Sequence, residues 1–397
     1  MKICHVITRM ILGGAQENTL ATVAGLARRG HTVTLISGPE AGAEGRLLDF
    51  HPELAHCPPF TLLIEPHLVR PIHPWHDACA YRRLARHFDE QAYDIVHTHS
   101  SKAGILGRLA VRGARRAHGT RVLHTIHGLA FDALQPAWKN ALFIRAERRC
   151  ARGTDALISV CDAMTRQALA AGVGTPSQFH TIYSGMDLAP YRAAAAERER
   201  IRRQLHWPAD TVALLCIARL FAMKGAEDFL DALAAAHQAA PGRVKGVLIG
   251  GGPLQPALQA RAQRMLPADA VTFTGLLPPQ EIPHWVAAAD VIVHPSLREG
   301  LARALVQAIA GGKPVVTYDI GGAREIVRHG LNGMVCAAGD RAALIGQTLA
   351  LVLDTAVRAT LSAAAAKTDV SAFDAAYMLE RIEALYRAVL NRPRTLP

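Results

Sequence analysis

The chain has 397 residues, half of them hydrophobic and only 5% aromatic, with a formal charge of +11 at neutral pH. That length suits two domains with separate cores, and the lack of repeats or low-complexity tracts excludes fibrous and disordered classes in favour of a globular enzyme. No uncharged apolar run reaches the length of a membrane span, while the positive charge leaves nucleic acid, anionic lipid and phosphorylated small molecules all open as partners.

The amino terminus, MKICHVITRMILGG, reads as a first buried strand over Lys2 to Thr8, because Arg9 interrupts the apolar run that a secretory leader would need. Gly13 and Gly14 then form a turn into a helix, a place where backbone amides can approach a phosphate. Further strands are expected at His31 to Ser37, Ile95 to His99, Arg121 to Ile126, Ala156 to Val160 and Phe179 to Tyr183. Helical patterns separate most of them, which predicts a parallel sheet covered on both faces. Asp187 to Trp207, rich in Ala, Arg and Glu, reads as a connection plus a surface helix. The alternation then restarts at Val212 to Ile217 and continues through Val247 to Ile249, Val271 to Phe273, Val291 to Val293 and Val315 to Thr317. An amphipathic stretch from Phe373 to Leu390 closes the pattern. Seven cysteines at 4, 57, 79, 150, 161, 216 and 336 lack metal-like pair spacing and fit reduced thiols in cytoplasm.

The stretch Val291 to Val335 is the richest in chemistry. A strand runs into His294-Pro295-Ser296, and Glu299-Gly300 is expected to open a helix over about Leu301 to Ala310, stopped by Gly311-Gly312. A helix start at the carboxyl end of a parallel strand presents free amides and a positive dipole end to an anion. On such a helix Gln307 would stand roughly 12 Å along the axis and about 80° round from Glu299. That spacing suits a long ligand with hydroxyls at its ends and phosphates between, such as a nucleotide sugar. Displacing a sugar from a nucleoside diphosphate builds negative charge on the leaving phosphate, so cations or a metal must face it. The sequence has no Asp-x-Asp pair to carry a divalent ion, but it offers Arg219 and Lys224 in ARLFAMKG, just after the strand ending at Ile217. Arg would give a two-pronged grip and Lys a compact charge.

Pro295, Ser296, Glu299, Gly300, Leu305, Gly312, Pro314, Val315, Val316, Gly321, Gly322 and Glu325 together resemble the donor-binding signature of family 4 glycosyltransferases. One position departs: Gln307 stands where the family has a second glutamate. An amide can still accept from one ribose hydroxyl and donate to another, without the strength of a charged acceptor. The resemblance implies an α/β GT-B architecture, two Rossmann-like doubly wound domains facing across a cleft. Residues 1–187, with the last helix at about 373–390, would form the acceptor-side domain, and 188–372 the nucleotide-sugar donor-binding domain. It also implies a retaining, metal-independent hexosyltransferase with no cofactor, in which the leaving phosphate takes the acceptor proton itself. Arg219 and Lys224 correspond to the pair that clasps the diphosphate, Glu299 to the group holding the donor sugar and Gln307 to the ribose contact. Ser296, Gly300, Leu301, Gly13 and Gly14 correspond to further donor contacts, and Gly250-Gly251-Gly252-Pro253 to the family's Gly-x-Gly-Pro, which wound folds often need for structure alone.

Four histidines, His97, His99, His124 and His127, lie near the ends of two candidate strands. They have the outline of a zinc site, yet no Cys, Asp or Glu joins them at ligand spacing, so no metal is expected. His127 in TIHG matches a family histidine placed beside the transferred sugar, where it would hydrogen-bond a hydroxyl. Between Lys102 and Arg121 there are six basic residues and no acidic one, with Arg108, Arg112, Arg115 and Arg116 at i, i+4, i+7 and i+8. Such a stripe either rests on anionic membrane lipid or is the solvated face of a sheet-covering helix. The wording HTHSSKAGILGRLAVR resembles bacterial enzymes of surface-polysaccharide synthesis, which implies a saccharide or lipid-linked glycan acceptor and a cytoplasmic or inner-membrane-peripheral location. Two alternatives stand beside this reading, a nucleotide-sugar epimerase on the same fold and a non-catalytic nucleotide-sugar binding protein. Nucleic acid is disfavoured, since the basic stripe lacks interleaved aromatics.

Overall fold

Thirteen strands sort into two parallel sheets, in the computed structural model that describes residues 1–40, 45–52, 54 and 59–393. The first sheet holds β1 (Lys2–Ile7), β2 (Thr32–Ser37), β3 (Thr61–Ile64), β4 (Ile95–His99), β5 (Arg121–Ile126), β6 (Ala156–Ser159) and β7 (Phe179–Thr181), in the order β3-β2-β1-β4-β5-β6-β7. The second holds β8 (Val212–Ile217), β9 (Val244–Ile249), β10 (Val271–Gly275), β11 (Val291–His294), β12 (Val315–Tyr318) and β13 (Gly333–Cys336), in the order β10-β9-β8-β11-β12-β13. Central strands such as β4 and β5 are buried along their whole length, as expected of strands covered by helices on both faces. In each sheet the strand order reverses once, between β1 and β4 and between β8 and β11. Ligands of open α/β sheets bind outside the carboxyl ends of the strands at that reversal.

Residues Met1–Met186 with Ala372–Pro397 form one unit, and Asp187–Ser371 form the other. Two strands escape the sequence pattern, β3 and β13. Both are four-residue edge strands, and β3 is nowhere fully buried. The connection after Asp187 is two short helices, Ala189–Ala195 and Arg198–Gln204, pinned to the second unit. Arg198 and Arg202 both bind Asp290, at 2.5 and 3.0 Å.

The last helix, Ala375–Leu390, belongs to the first unit and buries Met378, Leu379, Ile382, Leu385, Tyr386 and Val389 in the core that also holds Ile3, Ile7, Ile95 and Leu123. Each large aliphatic side chain sequestered there contributes about 1.5–3 kcal/mol. Gly25 makes the close approach possible, since a Cβ there would lie 2.5 Å from Leu379 Cδ2. On the helix's other flank Glu383 pairs with Arg29 at 2.7 Å, His31 at 3.1 Å and Arg387 at 2.6 Å. The opposite face of the first sheet packs on the helix Ser101–Ala110. Its glycines meet the strands directly: a Cβ on Gly104 would lie 2.4 Å from His124 Cε1, and one on Gly107 2.7 Å from Thr98 Cγ2.

Among the described residues no single helix is long and apolar enough to cross a membrane; one bent pair, Arg341–Leu353 with Thr355–Lys367, passes by composition, but Leu344, Leu351 and Leu361 of that pair are in the second unit's core. Six cysteines are free thiols, and Cys57 lies outside the described residues.

Candidate active site

The second unit's site forms where the loop after β8 meets the loop after β11. The first loop folds back sharply. Met223 has φ 72°, a rare state for a side chain of this size, and Gly225 has φ 71°. A Cβ on Gly225 would lie 1.9 Å from the Pro295 carbonyl oxygen, so glycine is required there for both conformation and space. The Leu297 amide donates to the Met223 carbonyl at 2.8 Å, and the Ser296 hydroxyl donates to the same oxygen at 3.3 Å. The two loops are thereby zipped together over Lys224.

The Lys224 ammonium donates to Glu299 Oε1 at 2.6 Å and to the Arg298 carbonyl at 3.1 Å. Burial pushes the Glu299 carboxyl up, but His294 and Lys224 more than offset it and hold the group at about 2, a carboxylate at neutral pH. The His294 contact is long, with Nε2 3.5 Å from Glu299 Oε1, and neither ring nitrogen of this buried residue has a hydrogen-bond partner among the described residues. Lys224 is therefore the firm partner. Gly300 is fixed from the other side, where the Gly322 amide donates to its carbonyl at 2.9 Å. Gly321 has φ +56°, and a Cβ there would lie 2.3 Å from the Gly300 carbonyl oxygen.

One expectation needs correcting. The helix runs Arg303–Ala310, so Glu299, Gly300 and Leu301 lie in the turn before it, with extended Ala302 as its cap. No side chain caps the helix that early, and the Lys224 pair holds Glu299 in the turn instead. The axial spacing expected between Glu299 and Gln307 therefore does not apply. Gln307 is the helix's fifth residue and half-buried, while Leu301 is buried. Arg219 shares the β8 loop with Lys224; it is exposed, with its guanidinium carbon 5.3 Å from the centre of the Phe221 ring. Gly250 and Gly252 serve this loop structurally, since a Cβ on either would lie 2.0 Å from the Ala218 carbonyl oxygen or 2.4 Å from that of Leu220. Asp228 is a member that the sequence does not reveal. It accepts from the Tyr318 hydroxyl at 2.6 Å and pairs with Arg341 at 2.7 Å, anchoring the helix that follows Gly225 to β12.

In the first unit Gly13 caps the helix Gly14–Arg28 and Gly14 is its first residue. Gly13 is extended, with φ 174°, a conformation open to any residue. His127 follows β5, half-buried, in a narrow recess lined also by Ser101, His124, Gly128 and Phe131. Three of the four histidines gather, His97 and His99 with ring centres 4.3 Å apart and His99 Nδ1 3.1 Å from His127 Nε2, while His124 stands apart. His124 faces the helix Ser101–Ala110 and bonds the Thr98 hydroxyl at 2.9 Å, whereas His97 and His99 point to the opposite face, where His5 joins them. His5 was invisible in the sequence because only the register of β1 with β4, His5 beside His97, brings it there.

The basic stripe is overturned. The helix ends at Ala110 and a second begins at Arg112, so the four arginines do not share one face. Arg108 is buried and bound to Glu147 at 2.7 Å, and Arg115 is held by Asp155 at 3.0 Å. Only Arg112 and Arg116 are exposed.

Comparison with known proteins matches residues 12–190 to the model of Glycosyltransferase Family 4 and residues 197–368 to that of Glycosyl transferases group 1. The chain belongs to the family 4 glycosyltransferases, enzymes of glycosyl transfer with the GT-B fold. Bacillus subtilis EpsD is 32% identical over 266 residues, covering 66% of this chain and 68% of that one. The Escherichia coli UDP-Gal:alpha-D-GlcNAc-diphosphoundecaprenol alpha-1,3-galactosyltransferase is 27% identical over 389 residues, 97% of this chain and 96% of its own. Among solved structures, Anabaena HepE in complex with UDP-glucose superposes with TM-score 0.78 at 25% identity, covering 98% of this chain and 100% of that one.

Proposed function

We propose that this enzyme is a retaining, metal-independent hexosyltransferase that moves a sugar from a nucleoside diphosphate donor to a saccharide or lipid-linked glycan in cell-surface polysaccharide synthesis. The observation that carries this reading is the Lys224–Glu299 pair at the β8/β11 reversal, a cation and a carboxylate held by two interlocked loops where an open sheet binds its ligand. The names of two relatives, one using UDP-Gal on a diphosphoundecaprenol-linked sugar and one holding UDP-glucose, support the donor and acceptor classes.

In the reaction the bond between the donor anomeric carbon and the diphosphate oxygen breaks, and the acceptor hydroxyl bonds that carbon on the same face. Its proton passes to the leaving phosphate. Lys224 and Arg219 neutralise the charge that grows on the diphosphate, Glu299 accepts hydrogen bonds from the donor sugar, and Gln307 holds the ribose. Ser296, Gly300 and Leu301 shape the donor pocket, and Gly13, Gly14 and His127 are the first unit's contribution. Lys224 exchanges its bond to Glu299 for the phosphate when donor arrives, which keeps the cation oriented beforehand. No group of this set requires a metal or a cofactor for its role.

Association with an anionic membrane at the cytoplasmic face rests on the helix Ala137–Ala151. Trp138 is 67% exposed, Leu142 56% and the preceding Leu134 63%. Trp138, Leu142, Arg145, Arg149 and Arg152 follow one another at helical spacing, an apolar end running into an exposed basic one, while the helix's acid, Glu147, is turned inward to Arg108.

The testing experiment pairs a thermal-shift screen of UDP-, GDP- and ADP-sugars with NMR of the product's anomeric proton. A donor at 100 times its dissociation constant stabilises by about 2.7 kcal/mol. UDP-sugars are expected to give the largest shift and the product to keep the donor's anomeric configuration. An inverted product, or a reaction abolished by chelator and restored by a divalent ion, would refute the assigned chemistry.

A further inference from the structure

His294 is the last residue of β11 and is 5% exposed. Its backbone is fixed on two sides: it pairs with Thr317 of β12, whose hydroxyl donates to the His294 carbonyl at 2.9 Å, and Pro295 after it favours the extended form. Val291 and Val293 point into the second unit's core, so strand alternation turns His294 to the opposite face, towards the turn that carries Glu299. There the ring meets an occupied acceptor. Its Nε2 stands 3.5 Å from Glu299 Oε1, about 0.5 Å beyond an ordinary N–H···O bond, while the Lys224 ammonium holds the same oxygen at 2.6 Å. Neither ring nitrogen has a hydrogen-bond partner among the described residues, a costly state for a buried polar group.

We propose that His294 is a positioning residue that takes over Glu299 when Lys224 turns to the donor: its Nε2–H closes on Oε1 and leaves Oε2 to the sugar. The inference rests on the reading of Lys224 as the cation that clasps the diphosphate. An ionised carboxylate only accepts hydrogen bonds, and stranding one in a mostly buried turn would oppose the step that brings Lys224 to the phosphate. A donor already waiting beside Oε1 removes that opposition. An imidazole with one N–H to give places it on the nitrogen that faces the carboxylate, which here is Nε2.

Lys224 and His294 are thus successive partners of one oxygen rather than joint ones. Both favour the ionised form of Glu299, whose carboxyl is held at about 2, so whichever of them bonds it the group remains a carboxylate ready to accept from a sugar hydroxyl. The hand-over also sets a strict requirement on reach. A glutamine at position 294 would place an amide nitrogen near the site of Nε2 and could still donate to Oε1, whereas an asparagine would reach only the site of Nδ1. A side chain that merely filled space beside the turn would show no such distinction.

Nitrogen-15 NMR of the full-length protein with labelled histidine reads the hand-over in two ways. Saturating UDP, GDP or ADP, whichever binds, should move the His294 Nε2–H proton downfield, and Lys224→Ala should show that shifted signal with no ligand at all. Titration calorimetry adds the affinity. His294→Leu should weaken nucleoside diphosphate binding about tenfold, the loss expected of one hydrogen bond to a charged group, and should raise donor KM more than it lowers kcat. His294→Gln should restore affinity to within about threefold, and His294→Asn should not. In a Lys224→Ala background His294→Leu should change affinity less than about twofold, since the bond then stands before and after binding. A His294 signal unmoved by a diphosphate that binds, or unmoved by Lys224→Ala, would overturn the hand-over, as would equal affinity of the Gln and Asn variants. Should His294→Leu fail to fold, the two NMR comparisons decide alone. Failure of the donor reading looks different: none of the three diphosphates would bind, while Lys224→Ala would still move the His294 signal.

Discussion

Replacing Lys224 by alanine removes the ammonium 2.6 Å from Glu299 Oε1 and leaves a mostly buried carboxylate, 18% exposed, beside His294 alone. Two consequences separate cleanly. For stability, Glu299 is held at about 2 rather than at its ordinary 4.5, a difference that corresponds to roughly 3 kcal/mol at pH 7. Because the folded-state value is depressed, this stabilisation is full above about pH 4.5 and is lost as pH falls towards 2, leaving roughly 2 kcal/mol at pH 3.5. Lys224 shares the effect with His294, so the variant should lose about 1–2 kcal/mol at pH 7 and less at pH 3.5. For catalysis, a missing cation opposite the departing diphosphate should cost about 10²–10³-fold in kcat. Urea unfolding at both pH values and initial rates of sugar transfer measure the two effects independently. A folded variant with kcat within threefold of wild type would refute the role of Lys224, and equal destabilisation at both pH values would refute the account of Glu299.

Three further outcomes follow from the geometry. Gln307→Glu should tighten donor binding about fivefold, because a charged acceptor gains on the order of 1 kcal/mol over an amide; titration calorimetry with a UDP-sugar that gave equal or weaker binding would remove Gln307 from the ribose contact. Gly225→Ala should cost about 2 kcal/mol or more, since it combines a φ of 71° with a Cβ 1.9 Å from the Pro295 carbonyl oxygen, and an unchanged urea midpoint would contradict that clash. Trp138→Glu with Leu142→Glu should abolish co-flotation with anionic vesicles, whereas Arg112→Ala with Arg116→Ala should not; the reverse pattern would return the membrane contact to the basic stretch.

Much of the fold was legible because wound sheets write themselves locally. Strands β8 and β11 are short aliphatic runs, and the loops after them carry glycine, proline and charge in close succession, so the Lys224 and Glu299 segments can be found without knowing that they touch. What the sequence hides is what long-range contact decides. Arg108 looks solvated at helical spacing, yet its partner Glu147 lies 39 residues away and the helix breaks at Val111. The helix before Gln307 starts late because Glu299 answers to Lys224, 75 residues distant, rather than to the amides beside it. His5 is one polar residue in an apolar strand until sheet register sets it against His97.

Backbone strain adds an independent argument for where the chemistry sits. Among the described residues only Ala92, Ser100, His206 and Met223 have positive φ without being glycine. Ala92 and His206 end helices, where a left-handed residue is routine. Ser100 and Met223 have no such excuse. Ser100 follows β4 and Met223 lies in the loop after β8, so each stands at the point where its sheet reverses strand order. Both are tied down by neighbours. The Ser100 hydroxyl lies 2.9 Å from that of Thr8, and the Met223 carbonyl accepts from Leu297 and Ser296. A strained residue costs on the order of 1–3 kcal/mol and persists only when its surroundings over-determine it. That the cost falls at the ligand-binding end of both sheets, next to Lys224 in one, is expected if these loops are shaped for a substrate rather than for stability. Met223→Gly tests this directly: it should raise stability by relieving strain while lowering kcat as Lys224 loses its fixed orientation. A gain in both would mean the strain serves no purpose in the reaction.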